Sequence, residues 1–155
     1  MINIVLYSPL IPMNTGNIAR TCAVTGSALH LIKPLGFDIS DSAVKRAGLD
    51  YWHLVEISVY EDAEDFFAKN PDAAGNIWLS TTRGSVRYCD AQYTDGCYIM
   101  FGQETKGLPD ELHDRFPGRG IRLPMREGVR CLNLANSVCA VCYEALRQTG
   151  FKGLI

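Results

Sequence analysis

The sequence predicts an α/β domain with a mainly parallel β-sheet and helices on both faces. Short runs of β-forming residues alternate with segments whose apolar residues recur at helical spacing. A helix or a long loop separates consecutive strands, as parallel pairing requires. The chain has 155 residues, of which 47% are hydrophobic, so we expect a single domain over residues 1–155 with a core of its own.

The first predicted elements are a strand over Ile2–Tyr7, a proline-rich loop through Pro12, and a helix over Thr15–Thr25 with Gly26 at its C-cap. Further strands are predicted at Leu29–Ile32, Leu54–Val59, Asn76–Ser80, Ile99–Phe101 and Ile121–Leu123. Further helices are predicted at Ser40–Ala47, Glu61–Lys69, Pro109–Asp114 and Leu134–Gln148.

Composition narrows the classes of protein to consider. No stretch approaches the run of about 18 apolar residues that crosses a membrane, and the first residues read as a strand rather than a secretion signal. We therefore expect a cytoplasmic protein whose six cysteines are not paired in disulfides. Cys139 and Cys142 have the spacing of a CxxC pair. Without a second pair or a histidine at ligand spacing, they indicate a small-residue helix face rather than a metal or redox site.

Charge is distributed unevenly although its total is only −2. Residues 38–72 contain nine acidic and three basic side chains, whereas residues 115–130 contain five arginines and one glutamate. This polarity is compatible with one phosphate-binding face. An ordinary solvated loop would explain the arginines equally well.

Two common phosphate-binding motifs are excluded. The glycines never fall in the G-x-G-x-x-G pattern of dinucleotide-binding folds. Gly102 and Gly107 have the spacing of a P-loop, but Leu108-Pro109 stands where Lys-Ser/Thr must bind phosphate and Mg²⁺. The three histidines are scattered, and no catalytic triad stands out.

Three segments rich in small or amide residues each follow a predicted strand. They are Asn14–Arg20, Phe101–Leu108, and the stretch from Ile121–Met125 into Cys131–Ser137. In open α/β sheets, ligands bind at the carboxyl ends of the strands. We therefore expect these three segments to form one site.

Together the segments resemble the three motifs of the SPOUT family of RNA methyltransferases, above all its small branch that 2′-O-methylates the wobble nucleotide of certain leucine tRNAs. The matching stretches are INIVLY, NTGNIAR, RAGLDY, FGQETKGLP, IRLPM, LNLAN and YEALRQTG. The resemblance implies a C-terminal trefoil knot, a homodimer and S-adenosyl-L-methionine (AdoMet) bound in the knot, with S-adenosyl-L-homocysteine as product. It implies the anticodon stem-loop of tRNA as partner, and no DNA or membrane partner; methyl transfer from a sulfonium needs no metal.

The sequence departs from the family at two positions, because Cys131 and Ala135 stand where serine is usual. A thiol is a weaker hydrogen-bonding partner than a hydroxyl. A cofactor contact at position 131 would then come from the backbone.

The resemblance makes Arg20 the residue that acts on the ribose 2′-hydroxyl. A guanidinium keeps its proton and is a poor general base. We expect it instead to lower the pKa of the alcohol electrostatically and to hold a neighbouring phosphate, with a phosphate oxygen or water accepting the proton. A surface helix arginine is the plain alternative. Asn14 and Asn17 are candidates to orient ribose or phosphate, although Asn14 is equally suited to be a helix N-cap.

Other candidates also follow from the resemblance. The cofactor-binding candidates are Ser80, Gly102, Leu123, Cys131, Leu132 and Asn133, and the substrate-binding candidates are Glu104, Lys106, Asn136 and Tyr143. Core packing would also explain the leucines, and a plain turn would explain the glycine. For Glu104 a bracing contact with backbone N–H groups is favoured, and for Asn133 and Asn136 bracing and ligand contact are both open. Tyr143 is a candidate dimer contact.

Further residues offer an RNA surface. Possible phosphate contacts are Arg83, Arg87, Lys106 and the arginines of Arg115–Arg130; possible stacking surfaces are Tyr51, Trp52, Tyr88 and Tyr93. Packing within the protein is the alternative for the aromatic residues. Two alternatives to wobble methylation remain: 2′-O-methylation at another tRNA or ribosomal RNA site, and a non-catalytic RNA-binding or cofactor-binding protein.

Overall fold

The computed structural model describes residues 1–40 and 51–155. In this part of the chain, seven strands form one sheet in the order β3-β2-β1-β6-β4-β7-β5, and every neighbouring pair is parallel. The strands are β1 (Asn3–Tyr7), β2 (Ala28–Ile32), β3 (Ile57–Tyr60), β4 (Ile77–Ser80), β5 (Val86–Arg87), β6 (Tyr98–Phe101) and β7 (Gly120–Arg122). The helices are α1 (Pro12–Thr25), α2 (Ala63–Lys69), α3 (Asp110–Arg115) and α4 (Leu134–Gln148). The predicted α/β fold with a parallel sheet is confirmed.

Two hydrophobic cores cover the two faces of this sheet. Alternate residues of a strand point to opposite faces, so Leu6 packs in one core with Ile18 of α1 and Val138 of α4. Its neighbour Val5 packs in the other core with Phe66 of α2. Each such buried side chain contributes roughly 1.5–3 kcal/mol of transfer free energy, which anchors helices on both faces.

Helix α1 begins earlier than predicted. Pro12 occupies its first turn and Ile11 is the N-cap, because a proline lacks only an N–H that the first turn leaves unpaired anyway. The suggestion that Asn14 is the N-cap is therefore wrong, and its side chain is available for other contacts. The C-cap prediction is confirmed, since Gly26 has a φ of 65° and donates its N–H to the carbonyl of Cys22.

Other boundaries differ where local patterns are short. Residues Trp52–Leu54 form a 3-10 turn, and β3 begins only at Ile57. The strand β5 was not predicted, because two residues carry no readable alternation. The predicted helix Ser40–Ala47 lies, apart from Ser40, outside the described residues.

The cysteines are all free thiols. Cys142 is buried on the core side of α4, whereas Cys139 is exposed on the same helix. Burial raises the pKa of the Cys97 thiol to about 11, so this group is unreactive in the folded protein. Over residues 1–40 and 51–155, no helix combines the length and apolar character needed to cross a bilayer.

Candidate functional site

A cleft of about 770 Å³ opens at the carboxyl edge of β4 and β6. All three segments that the sequence singled out contribute to its walls. Asn14 comes from the first, Phe101–Leu108 is the whole second segment, and Cys131–Leu134 comes from the third. Parallel strands bring their carboxyl ends to one edge, which explains why segments far apart in the chain meet here.

A hydrogen-bonded network ties the three segments together around Glu104. Its carboxylate accepts the backbone N–H groups of Leu10 at 2.8 Å and Ile11 at 3.1 Å, and the side-chain amide of Asn14 at 3.2 Å. Asn14 in turn accepts the side-chain N–H of Asn133 at 3.0 Å. The favoured bracing role of Glu104 is therefore what the structure shows, and the bonds reach the loop before α1.

Asn133 also caps α4. Its side-chain oxygen accepts the backbone N–H groups of Ala135 at 2.9 Å and Asn136 at 3.3 Å, which would otherwise lack partners at the helix start. The amide thus faces both ways, with its oxygen on the helix and its nitrogen on Asn14. This arrangement fixes the start of α4 against α1 at the cleft.

Gly102 allows the loop after β6 to fold back on itself. A Cβ at this position would lie 2.2 Å from the carbonyl carbon of Gly107 and 2.3 Å from the nitrogen of Leu108. Gln103 and Gly107 close the loop with two backbone hydrogen bonds, and Gly107 has a φ of 69°. Gly102 therefore permits a close approach of the protein's own backbone.

Comparisons with known proteins agree with this architecture. The pattern of the SpoU rRNA methylase family matches residues 1–143. The chain belongs to this family. The tRNA (cytidine(34)-2′-O)-methyltransferase of Burkholderia ambifaria is 47% identical over 154 residues, 99% of each chain.

Two solved structures are also similar. One, described as giving insights into the 2-OH methylation of C/U34 on tRNA, is 44% identical, with a TM-score of 0.88 over 96% of this chain and 95% of that chain. The AdoMet-bound rRNA methyltransferase of Sinorhizobium meliloti is 29% identical, with a TM-score of 0.81 over 94% of this chain and 56% of that chain. The predicted membership of this methyltransferase family is confirmed.

Every cofactor-binding candidate of this SpoU family protein lines the cleft. The set is Ser80, Gly102, Leu123, Cys131, Leu132 and Asn133. Leu132 is 45% exposed and Leu123 is half-buried. Core packing therefore does not explain Leu132, which stands open to whatever enters the cleft.

Two hydroxyl residues of the cleft, Thr81 and Thr82, were not predicted from the sequence. Thr81 and Thr82 follow Ser80 directly, and Ser137 lies on the first turn of α4. Three consecutive hydroxyl residues that begin at the last residue of a buried strand are a signal that the sequence contains, because ligands bind at this edge of a parallel sheet. Ser137 closes the third segment that the sequence predicted for the site, and its hydroxyl donates to the carbonyl of Asn133 at 3.1 Å.

The remaining candidates divide into two groups. Glu104 and Lys106 line the cleft, whereas Asn17, Arg20, Asn136 and Tyr143 do not. These four are all exposed and lie on α1 or α4, which pack against each other. The structure of one chain thus places the cofactor candidates together but leaves Arg20 and Asn17 outside the cleft.

Arg20 lies on the solvent side of α1. Its guanidinium carbon is 4.7 Å from the centroid of the Tyr51 ring. Arg20 is six residues beyond Asn14, which corresponds to about 9 Å along the helix axis. Asn17 and Arg20 lie on the exposed side of α1, whereas Asn14 is buried and reaches the cleft wall.

The basic residues considered as phosphate contacts fall into two groups. Arg83 pairs with Asp110, Arg87 with Asp90, and Arg115 with Glu64. No carboxylate within residues 1–40 and 51–155 lies within 4.0 Å of the side-chain nitrogens of Lys106, Arg122, Arg126 or Arg130. The latter group therefore presents unpaired positive charge in the described part of the chain, and Lys106 does so at the cleft itself.

Most of the aromatic residues considered as stacking surfaces for RNA bases make contacts within the protein. Tyr93 is buried and donates its hydroxyl hydrogen to the carbonyl of Tyr88, while Trp52 packs against the core. Packing thus accounts for these side chains, and Tyr51 contacts Arg20 instead.

Proposed function

We propose that this protein transfers a methyl group from AdoMet to the ribose 2′-hydroxyl of the wobble nucleotide, position 34, of leucine tRNAs. The observation that carries the proposal is the convergence of all three motif segments on one cleft at the carboxyl edge of the sheet. The name of the Burkholderia ambifaria relative and the description of the structure for C/U34 methylation support the choice of nucleotide.

The cleft suits AdoMet in size and chemistry. Its volume of about 770 Å³ lies within the roughly 300–1,000 Å³ of small-molecule sites. Apolar walls from Phe101, Leu123 and Leu132 suit an adenine ring, and the hydroxyls of Ser80 and Thr81 suit a ribose. The AdoMet in the Sinorhizobium meliloti structure supports the same choice of ligand. We assign cofactor binding to these walls and to the backbone of Cys131.

The chemistry asks the protein mainly to align an alcohol and to help remove its proton. When bound, AdoMet supplies an electrophilic methyl group on a sulfonium. We assign Arg20 to stabilise the developing alkoxide and to hold an adjacent phosphate, as a guanidinium that stays protonated can do. Asn17, one turn earlier on the exposed side of α1, orients the ribose or phosphate. A phosphate oxygen of the RNA or water accepts the proton.

Arg20 is tested by substitution. Arg20→Ala is expected to bind AdoMet with unchanged affinity by calorimetry and to lose methylation by at least about 100-fold, the scale seen when one oxyanion donor is removed. Turnover near that of the unmodified protein would reject the role. Lys69→Ala is the control, because Lys69 is also a basic residue on a helix surface but lies on α2 and pairs with Asp65.

We further propose a homodimer in which Arg20 serves the cleft of the partner subunit. Arg20 lies outside its own cleft. The large apolar side chains of Met13 and Val24 on α1 and of Tyr143 on α4 are exposed, and these two helices pack against each other. Exposed large apolar side chains on two packed helices suit an interface. Sedimentation should give twice the mass of one chain, and Tyr143→Asp should give monomers.

Mixed dimers test whether the site is shared. Arg20→Ala and Leu132→Arg each leave the core intact, since both residues are exposed. Each variant alone is expected to be inactive. If Arg20 acts across the interface, co-refolding the two restores about one working site per mixed dimer. No recovery of activity in verified mixed dimers would place Arg20 at the cleft of its own chain.

RNA binding is assigned to the unpaired basic residues beside the cleft. Lys106, Arg126 and Arg130 lack a carboxylate partner among residues 1–40 and 51–155. Replacing all three by serine should weaken tRNA binding and reduce the slope of log K against log salt by up to about 2, roughly 0.7 for each phosphate that is no longer neutralised. The matched control replaces Lys33, Lys69 and Lys152, which are ion-paired elsewhere.

The substrate is tested directly. Incubating the protein with labelled AdoMet and total tRNA, followed by mapping of the modified nucleotide, should place the methyl group on the 2′-oxygen of position 34 in leucine tRNAs. Label at another nucleotide, or in ribosomal RNA, would be consistent with the proposed 2′-O-methylation but would reject position 34 of leucine tRNAs as the target. Absence of AdoMet binding by calorimetry would reject the reaction itself.

The resemblance also implies that the C-terminal part of this single domain is tied in a trefoil knot. We propose this topology, supported by a sheet order in which β6 lies between β1 and β4 while α4 returns to pack on α1. An experimentally determined backbone trace tests it. If the path between the two termini can be simplified to an unknotted line, the knot is rejected.

A further inference from the structure

We infer that Tyr51 is a positioning residue for Arg20. The inference rests on the catalytic role proposed for Arg20 and adds the group that aims it. The two side chains form a cation–π pair, with the guanidinium carbon 4.7 Å from the ring centroid. This separation is within the roughly 6 Å over which such pairs attract.

The pair holds Arg20 without neutralising it. Within residues 1–40 and 51–155, no carboxylate lies within 4.0 Å of the Arg20 guanidinium. Arg115 shows the contrast, because it stacks on Phe67 at 4.2 Å and also pairs with Glu64 at 2.8 Å. A carboxylate would compete with an RNA phosphate for the guanidinium, whereas a ring face leaves the charge and the N–H groups at its edge available.

Tyr51 lies directly before the 3-10 turn Trp52–Leu54, which packs against the core. Its carbonyl accepts the N–H of Leu54 at 2.9 Å, which closes the 3-10 turn Trp52–Leu54. Trp52 and Val55 pack against the same core as α1. The backbone of Tyr51 is therefore anchored beside the helix that bears Arg20, and contact with its ring restricts a long arginine side chain that would otherwise sample many rotamers.

A base-stacking role for Tyr51 is the competing interpretation. Arg20 covers one face of the ring, so a nucleobase would have to use the other face or displace the guanidinium. The two roles differ in what they change. A stacking surface contributes to RNA affinity, whereas a positioning residue changes the rate at saturating substrate.

The experiment compares Tyr51→Phe, Tyr51→Trp and Tyr51→Leu by kcat, by KM for tRNA and by AdoMet affinity. Phe and Trp keep a ring face and should retain kcat within about threefold, since cation–π pairs with Phe and Trp are of similar or greater strength. Leu keeps bulk without the ring, and should lower kcat by about tenfold with KM and AdoMet affinity unchanged. A Leu variant with unchanged kcat, or one altered only in KM, overturns the inference.

Two further measurements keep the outcome unambiguous. In an Arg20→Lys background, Tyr51→Leu should lower kcat much less than it does in the unmodified protein, because the effects of coupled residues on kcat are not additive. Phenylalanines with increasing fluorination at position 51 keep the ring shape while weakening its negative face, so kcat should fall stepwise; a flat series rejects the pair even if the Leu variant unfolds. If Arg20→Ala stays active, the proposed function loses its catalytic group, whereas an inactive Arg20→Ala with a fully active Tyr51→Leu rejects only the role of Tyr51.

Discussion

Asn133 donates its side-chain N–H to the side-chain oxygen of Asn14 at 3.0 Å, across 119 residues of sequence. Through Asn14 the bond continues to Glu104 at 3.2 Å. One residue from each motif segment therefore takes part in the same network. Asn14 is 6% exposed. If its polar atoms lost their hydrogen-bond partners, each would destabilise the fold by about 1–3 kcal/mol.

Asn14→Asp is expected to break this network. The donor to Glu104 would become a second carboxylate beside the first, and like charges at this separation repel. We expect the free energy of unfolding to fall by about 2–4 kcal/mol at pH 7, measured by urea denaturation. Asn17→Asp, on the exposed side of the same helix, is the matched control and should change stability by less than about 0.5 kcal/mol. Equal effects of the two substitutions would contradict the network.

Gly102→Ala is expected to open the loop that forms one wall of the cleft. The added Cβ would meet the backbone of Gly107 at 2.2 Å, so the segment must move rather than one flexible side chain. AdoMet affinity, measured by calorimetry, should fall by at least about tenfold. Gly75→Ala is the control, since its Cβ would meet nothing within 4 Å. Unchanged affinity in the Gly102 variant would mean that this wall does not touch the cofactor.

Stability should decline with acidification because of His30. Its ring lies between Tyr60, at 2.9 Å from Nδ1, and Asn3, at 3.2 Å from Nε2. Burial is the main cause that lowers its pKa to about 4, partly offset by Asp72. An unfolded histidine takes up a proton below about pH 6.5, whereas the folded one does so only near pH 4.

The stabilising contribution is therefore complete above pH 6.5 and is lost as the pH falls toward 4. It amounts to about 3 kcal/mol, at 1.36 kcal/mol per pKa unit. Urea denaturation from pH 7 to 4 should show this loss in the unmodified protein. His30→Gln should be less stable at pH 7 but should show a weaker decline with pH. Parallel pH profiles of the two proteins would assign the acid sensitivity to other groups.

Cys131 should report cofactor occupancy. The thiol is exposed and lines the cleft, so AdoMet or S-adenosyl-L-homocysteine should slow its alkylation by at least about fivefold at saturating ligand. Cys89, also exposed but absent from the cleft lining, is the internal control and should react at the same rate with and without ligand. Peptide mass spectrometry separates the sites. Equal rates at Cys131 would show that the ligand binds elsewhere.

Cys131→Ser tests the departure from the family. If the backbone at 131 makes the contact, the serine variant should bind AdoMet within about threefold of the original, since less than one new hydrogen bond of about 1 kcal/mol is gained. A gain well above tenfold would show that the thiol had replaced a functional hydroxyl.

Much of the fold was readable from local patterns. The strand β1, the C-cap at Gly26 and the helix α4 each carry their own short-range rule of burial, glycine conformation or apolar period. The strand β5 has two residues and no such pattern, and Pro12 hides a helix start that tolerates proline. The predicted elements differ from the structure where the local sequence pattern is weak or fits two kinds of element.

The sequence by itself determined the fold class, and the resemblance of its motifs indicated the family. It also placed the cofactor candidates around one cleft, because the carboxyl ends of parallel strands share an edge. Only the tertiary structure decided how those residues divide their work. It gave Asn14 and Asn133 to one network, left Arg20 outside the cleft against Tyr51, and paired Arg83 and Arg87 with acids. Such assignments depend on distances between side chains far apart in the chain, which local spacing does not encode.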